Sequence, residues 1–137
     1  MKSFFLSLVL IAAVAVTASA QAKNPCNPCS KKEMKSKTGD VSLVGEIIDV
    51  KCYTSGMMGG RGPEHEECAI SCIKGGLPVG LLDEQSGEVY TIVPAKGMKG
   101  ANSALLPFVA KKVKIQGSLL EKGGNRILAY SSVEEAK

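Results

Sequence analysis

Aromatic residues and histidine are scarce in this sequence. It has no tryptophan, three tyrosines, three phenylalanines and one histidine in 137 residues, and its formal net charge is only +4. Nucleic-acid binding generally needs a strongly basic face with aromatic rings on which bases stack. With one histidine, no nucleophile elbow and no glycine-rich phosphate loop, no catalytic triad or nucleotide site can be assembled from recognisable parts. The composition argues against nucleic-acid binding and predicts a protein that is not an enzyme.

Long apolar runs are also missing, apart from one near the amino terminus. Lys2 precedes an almost unbroken apolar stretch over residues 4–16, and the small residues at 18–20 are typical of a cleavage site. The stretch is shorter than the roughly 20 residues that a membrane span needs. Residues 1–20 are therefore predicted to be a cleaved signal peptide. We expect the mature protein in the periplasm or secreted, without a membrane span.

Residues 21–40 are polar and rich in lysine, and they show no hydrophobic periodicity, so they are predicted to form a flexible tail. Two tandem Asn-Pro-Cys triplets place Cys26 and Cys29 at the CxxC spacing. Ser30 stands where a haem-attachment motif requires histidine. The pair can form a local disulfide, link to another chain or capture a metal ion. Thiol-disulfide oxidoreductase activity is the least favoured alternative, because no βαβ context follows.

The rest of the chain, residues 41–137, is predicted to be one mainly β domain. Its five candidate strands are residues 41–50, 77–83, 88–94, 112–120 and 126–133. An inserted helix over about residues 63–74 starts at Pro63 and ends before Gly75, and a short second helix is expected near residues 102–106. This order matches a small five-stranded OB-like Greek-key barrel. An open antiparallel sheet with one covering helix is the alternative.

The histidine and the remaining three cysteines fall in one segment of the sequence. On the predicted helix, His65, Cys68 and Cys72 are spaced i, i+3 and i+7 and share one face. Cys52 is expected at the end of the first strand, from which the following glycine-rich loop can fold back to bring it over that face. Thiolates and imidazole are the ligands that zinc and copper(I) prefer. The segment therefore predicts a metal site formed by Cys52, His65, Cys68 and Cys72.

The same spacing also fits a structural disulfide, which small exported domains favour. A bond from Cys52 to Cys68 or Cys72 closes a loop of roughly 20 residues and contributes about 3 kcal/mol. Cys68 and Cys72 leave the helix nearly parallel, so they bond each other only with difficulty. Together with Ala69 and Ile73 they also form an apolar stripe on which free thiols pack as small hydrophobes. Metal site, disulfide and free core thiols all remain open.

The pattern GEIIDxKCY at residues 45–53, followed by HxxCAxxCIxGGxPxG from His65 to Gly80, resembles a family of small exported bacterial proteins. The resemblance covers nearly the whole predicted domain and implies an OB-like barrel, but it implies no established activity. The Asn-Pro-Cys triplets are similar to cysteine-rich leaders of exported bacterial proteins associated with respiratory chemistry. Together these resemblances imply a periplasmic redox or metal accessory factor.

The first hypothesis is a periplasmic, non-enzymatic metal-binding or redox-accessory module whose Cys/His centre holds zinc or copper. In this hypothesis Cys26 and Cys29 receive the ion or pass it on, and Met57 and Met58 offer further soft thioether donors. The alternative is a disulfide-stapled structural or interaction subunit of a larger periplasmic assembly of respiratory type, bound to a protein partner. Metal binding is placed first because a disulfide by itself specifies no function.

Overall fold

A closed five-stranded β-barrel forms the body of residues 40–136, which are the residues that the computed structural model describes. Its strands are β1 Asp40–Asp49, β2 Val79–Asp83, β3 Val89–Pro94, β4 Lys112–Lys122 and β5 Asn125–Glu135. Their hydrogen-bonded order is β1-β2-β3-β5-β4, and pairing of β4 with β1 closes the barrel. Only β3 and β5 pair in parallel. The predicted mainly β, OB-like five-stranded barrel is confirmed.

The first strand closes the barrel because it pairs along both edges. Residues 40–46 pair with β4, and residues 45–49 pair with β2. Gly45 lies where the two ladders overlap, and a Cβ atom there would collide with the backbone of β2. Glycine is required at this close approach. The irregularity of the ladder itself lies in β4, between Gln116 and Gly117.

Short helices occupy two of the connections. They are α1 Val50–Ser55, α2 Glu66–Lys74 and α3 Asn102–Leu105, with 3-10 turns at Met57–Gly59, Pro63–His65 and Leu106–Phe108. The inserted helix predicted over residues 63–74 is confirmed as a 3-10 turn followed by α2, and the second short helix is α3. Among residues 40–136 no helix is long and apolar enough to cross a membrane. The predicted signal peptide and the tail with Cys26 and Cys29 lie outside the described residues.

The hydrophobic core lies inside the barrel and under α2. Alternate residues of β4, such as Val113 and Ile115, point inward with no exposed surface. Helix α2 contributes Ala69 and Ile73 to the same cluster. Burying a valine or isoleucine side chain stabilises a fold by about 1.5–3 kcal/mol. The helix that carries two of the candidate ligands is therefore fixed to the barrel by its own apolar face.

Candidate metal centre

Cys52 is presented by α1, a helix that the sequence analysis missed. The prediction that Cys52 ends the first strand is wrong, because β1 stops at Asp49 and the chain turns into a helix there. The Asp49 side chain caps this helix by accepting a hydrogen bond from the Cys52 N–H at 2.6 Å. Gly56, in the left-handed conformation at φ 69°, ends it. An N-cap aspartate seven residues before a glycine was the available signal.

Cys68 and Cys72 are presented by α2, whose carboxyl end is tied down. Gly76, at φ 98°, donates its N–H to the Ile73 carbonyl, and Leu77 donates to the Cys72 carbonyl at 3.1 Å. These two bonds form a Schellman motif. The Asn102 side chain of α3 donates to the Ile73 and Leu77 carbonyls at 2.9 and 2.8 Å. The turn of α2 that carries Cys72 is thus held by its own C-terminal cap and by the Asn102 side chain.

The thiols of Cys52, Cys68 and Cys72 converge, and we call these three residues the thiol cluster. Their Sγ atoms all lie within 4.8 Å of one another, and those of Cys52 and Cys72 are 3.8 Å apart. Two thiolates that bind one ion at about 2.3 Å with tetrahedral angles are also about 3.8 Å apart. A disulfide needs about 2.05 Å. The disulfide predicted from Cys52 is not formed here, and all three thiols are free.

Cys68 and Cys72 lie beside the core rather than in it, whereas Cys52 is fully buried. Ala69 and Ile73 are buried in the core, whereas Cys68 and Cys72 are only partly buried. The mean directions of these two pairs differ by about 100° around the helix axis. The single inward stripe that the sequence suggested for all four residues is therefore divided. The two cysteines face Cys52 at the margin of the barrel, where solvent reaches them.

His65 lies one helical turn before Cys68, at the start of α2, and its side chain is 1% exposed. Its ligand atoms do not belong to the group of three that lie within 4.8 Å of one another. Neither Nδ1 nor Nε2 has a hydrogen-bond partner among the described residues. Leaving a buried polar group unpaired costs about 1–3 kcal/mol. Of the predicted four-ligand set, the structure therefore groups the three cysteines and leaves His65 outside.

No family model matches this chain, and no curated protein or solved structure matches it. The function of the thiol cluster has to be inferred from its own chemistry. The family resemblance of the sequence pattern around Cys52 and His65 stays a prediction.

The environment of Cys52 favours its neutral form. Burial raises the pKa of the Cys52 thiol from an ordinary 9.0 to about 12, and hydrogen bonds with Asp49 and Cys72 and their negative charges add to the rise. Asp49 is fully buried, and its Oδ2 has no hydrogen-bond partner among the described residues. A protonated thiol is a poor nucleophile. A bound cation would instead favour the thiolate form of Cys52, because its positive charge stabilises the negative sulfur atom.

We expect Asp49→Ala to lower the free energy of unfolding by about 1 kcal/mol, the usual effect of losing an N-cap side chain. The first turn of α1 would loosen, so Cys52 would react faster with an alkylating reagent. Urea titration and peptide mapping of alkylated Cys52 measure the two effects. Asp83→Ala is a matched control, because Asp83 is also buried and caps a turn, where its Oδ2 accepts a hydrogen bond from the Ser86 N–H at 2.9 Å. Unchanged Cys52 reactivity in Asp49→Ala would contradict the assigned role.

Proposed function

We propose that this protein is a non-enzymatic, exported metal-binding module that holds one soft ion, zinc or copper, at the thiol cluster. The observation that carries the proposal is the convergence of three free thiols from two separate helices within 4.8 Å. Each helix is fixed independently, α1 by its Asp49 cap and α2 by the Asn102 contact. The site is therefore preorganised for an ion. Periplasmic location follows from the predicted signal peptide.

A metal ion accounts for the cluster better than a disulfide does. A disulfide between Cys52 and Cys72 would leave the Cys68 thiol unused beside it, whereas one ion can bind all three sulfur atoms. Partial exposure of Cys68 and Cys72 gives the ion a route in. Thiolates are the ligands by which proteins select Zn²⁺ and Cu(I).

His65 is proposed as the fourth ligand, which a tetrahedral zinc site would need. Its two unpaired ring nitrogens support this role. In the wider proposal, Cys26 and Cys29 of the tail receive the ion or pass it to a protein partner in the periplasm.

Replacing His65 by leucine should separate binding from stability. Leucine removes a buried unpaired imidazole, so the metal-free protein should gain about 1 kcal/mol in free energy of unfolding. The affinity for zinc should fall at least about tenfold, because one ligand is lost. Urea titration of the metal-free protein and competition with a zinc chelator measure these two quantities. Unchanged zinc affinity would remove His65 from the ligand set.

Metal analysis combined with intact mass tests the proposal. Protein purified without added chelator should carry one zinc or copper ion, and the partly exposed thiols of Cys68 and Cys72 should resist alkylation until the ion is removed. A Cys26→Ser/Cys29→Ser variant serves as the control and should still hold its ion at the thiol cluster. Metal-free protein with Cys52 in a disulfide would refute the proposal.

A disulfide-stapled interaction subunit is the second candidate, and the Cys52 and Cys72 sulfur atoms, now 3.8 Å apart, are the pair that would close to about 2.05 Å on oxidation. In that case the oxidised, metal-free protein would be the native form. It would assemble with a larger periplasmic complex through the barrel and the tail. Loss of native assembly size on deletion of residues 21–40 would support this candidate.

A further inference from the structure

The 3-10 turn Met57–Gly59, which we call the methionine turn, begins and ends against Cys52. Gly56, just before it, donates its N–H to the carbonyls of Cys52 and Tyr53. Gly60, just after it, packs so closely that a Cβ atom there would lie 2.6 Å from the Tyr53 Cα and 2.9 Å from the Cys52 carbonyl oxygen. The chain therefore leaves α1, makes one turn and returns to the same backbone. The turn is anchored to the residue that supplies one cluster thiol.

The methionine turn holds two of the three large hydrophobic side chains that are exposed in the described part of the chain. Met57 is 47% exposed and Met58 is 68% exposed, and the third is Met98, in the connection between β3 and α3. Met58 also adopts a left-handed backbone conformation, at φ 49°. Such a conformation is uncommon for a residue with a side chain. Two exposed thioethers are thus held on a constrained turn that packs against the backbone of Cys52.

We propose that Met57 and Met58 are the entry site for Cu(I), and that they pass the ion inward to the thiol cluster. This inference rests on the proposed function and specifies its ion. A thioether is a soft, neutral ligand that suits Cu(I), and a thiolate is a soft, charged one. An exposed thioether pair can therefore take up the ion first, and the thiolates then bind it more strongly. The difference in ligand charge gives the transfer its direction.

The transfer is an exchange of ligands without any change of oxidation state. Copper-thioether bonds at Met57 and Met58 break as copper-thiolate bonds form at Cys52, Cys68 and Cys72. Each thiol that becomes a ligand releases its proton to solvent. Copper remains Cu(I) throughout, so no oxidant or reductant takes part. Zinc, which proteins bind through thiolate, imidazole and carboxylate groups, gains nothing from the methionines.

Stopped-flow transfer of Cu(I) from a coloured Cu(I) chelator to the reduced, metal-free full chain tests the inference. In Met57→Leu/Met58→Leu, the exposed apolar volume is kept and only the sulfur atoms are lost. The transfer rate should fall about tenfold while the equilibrium affinity changes by less than about threefold. Met98→Leu is the matched control, because it removes an exposed methionine outside the turn, and it should transfer Cu(I) at the wild-type rate.

The outcomes are distinct. A double variant that takes up Cu(I) as fast as wild type would overturn the entry role. If the double variant lost the same factor in its rate of zinc uptake, the entry role would also be overturned. The turn would then act through its shape, as a protein-docking site does, and not through its sulfur atoms. If wild type itself takes up no stoichiometric Cu(I), or if Cys52→Ser/Cys68→Ser/Cys72→Ser binds as tightly as wild type, the thiol cluster is not the ion site and the proposed function fails with the inference.

Discussion

Cys52→Ser protein should lose stoichiometric ion binding, with its affinity for the ion lowered by more than about a hundredfold. Losing a group that only orients a metal ligand typically lowers the affinity about 10–100-fold, and losing the ligand itself should lower it further. Cys52 is the only cluster member on α1, so its loss leaves two thiols on one helix. Serine keeps the size of the side chain and removes the soft sulfur. Competition with a chelator of known affinity measures the change for zinc and for Cu(I).

Thermal and urea unfolding should show the same loss. An ion that binds only the folded state, present at about a thousandfold over its dissociation constant, adds about 4 kcal/mol to the free energy of unfolding. The free energy of unfolding of wild type should rise by this amount when the ion is added, and that of Cys52→Ser should hardly change. The Cys26→Ser/Cys29→Ser variant should behave as wild type. Equal stabilisation of wild type and Cys52→Ser by the ion would show that the ion binds elsewhere.

The second large effect is the protection of the Cys52 thiol from alkylation in the metal-free protein. With the pKa of Cys52 raised from 9.0 to about 12, its thiolate fraction at pH 8 is about a thousandfold below that of the unfolded chain. The alkylation rate at Cys52 should be lower by up to that factor than in urea. Mass spectrometry of tryptic peptides after timed alkylation measures the rates. A similar rate in folded and unfolded protein would contradict the burial of this thiol.

The same shift sets the sign of two pH dependences. Between about pH 9 and pH 12 the unfolded chain has released the Cys52 proton and the folded chain has kept it, so the free energy of unfolding falls as pH rises through this window. Cys52→Ala should lack this slope. Below about pH 9 the apparent affinity for the ion should instead rise with pH. The rise is about tenfold per pH unit for each thiol proton that the ion displaces.

Much of the barrel could be predicted because its signals are local. Alternation of apolar residues in β4 and the glycines after α2 mark those elements in the sequence. The helix α1 was missed because it directly follows a strand rich in β-branched residues, and its start depends on the side chain of Asp49 turning back to the Cys52 N–H. A pattern of hydrophobic residues does not contain that contact.

The sequence predicted most of the residues of the candidate site but not how they are arranged. Of the four predicted ligands, Cys52, Cys68 and Cys72 lie together in the structure, whereas His65 lies outside their group. Spacing could not separate the cysteine face of α2 from the core face of Ala69 and Ile73, because exposure depends on how α2 packs on the barrel. The structure makes that separation and leaves the thiols free.

X-ray absorption spectroscopy of the metal-loaded protein observes the ligands themselves. If the thiol cluster binds the ion, the spectrum should show three sulfur atoms at about 2.3 Å from the metal, with one nitrogen when His65 completes a zinc site. The sulfur signal should fall in Cys52→Ser and persist in Cys26→Ser/Cys29→Ser. A first coordination shell of oxygen and nitrogen alone would contradict the assignment of Cys52, Cys68 and Cys72 as the metal centre.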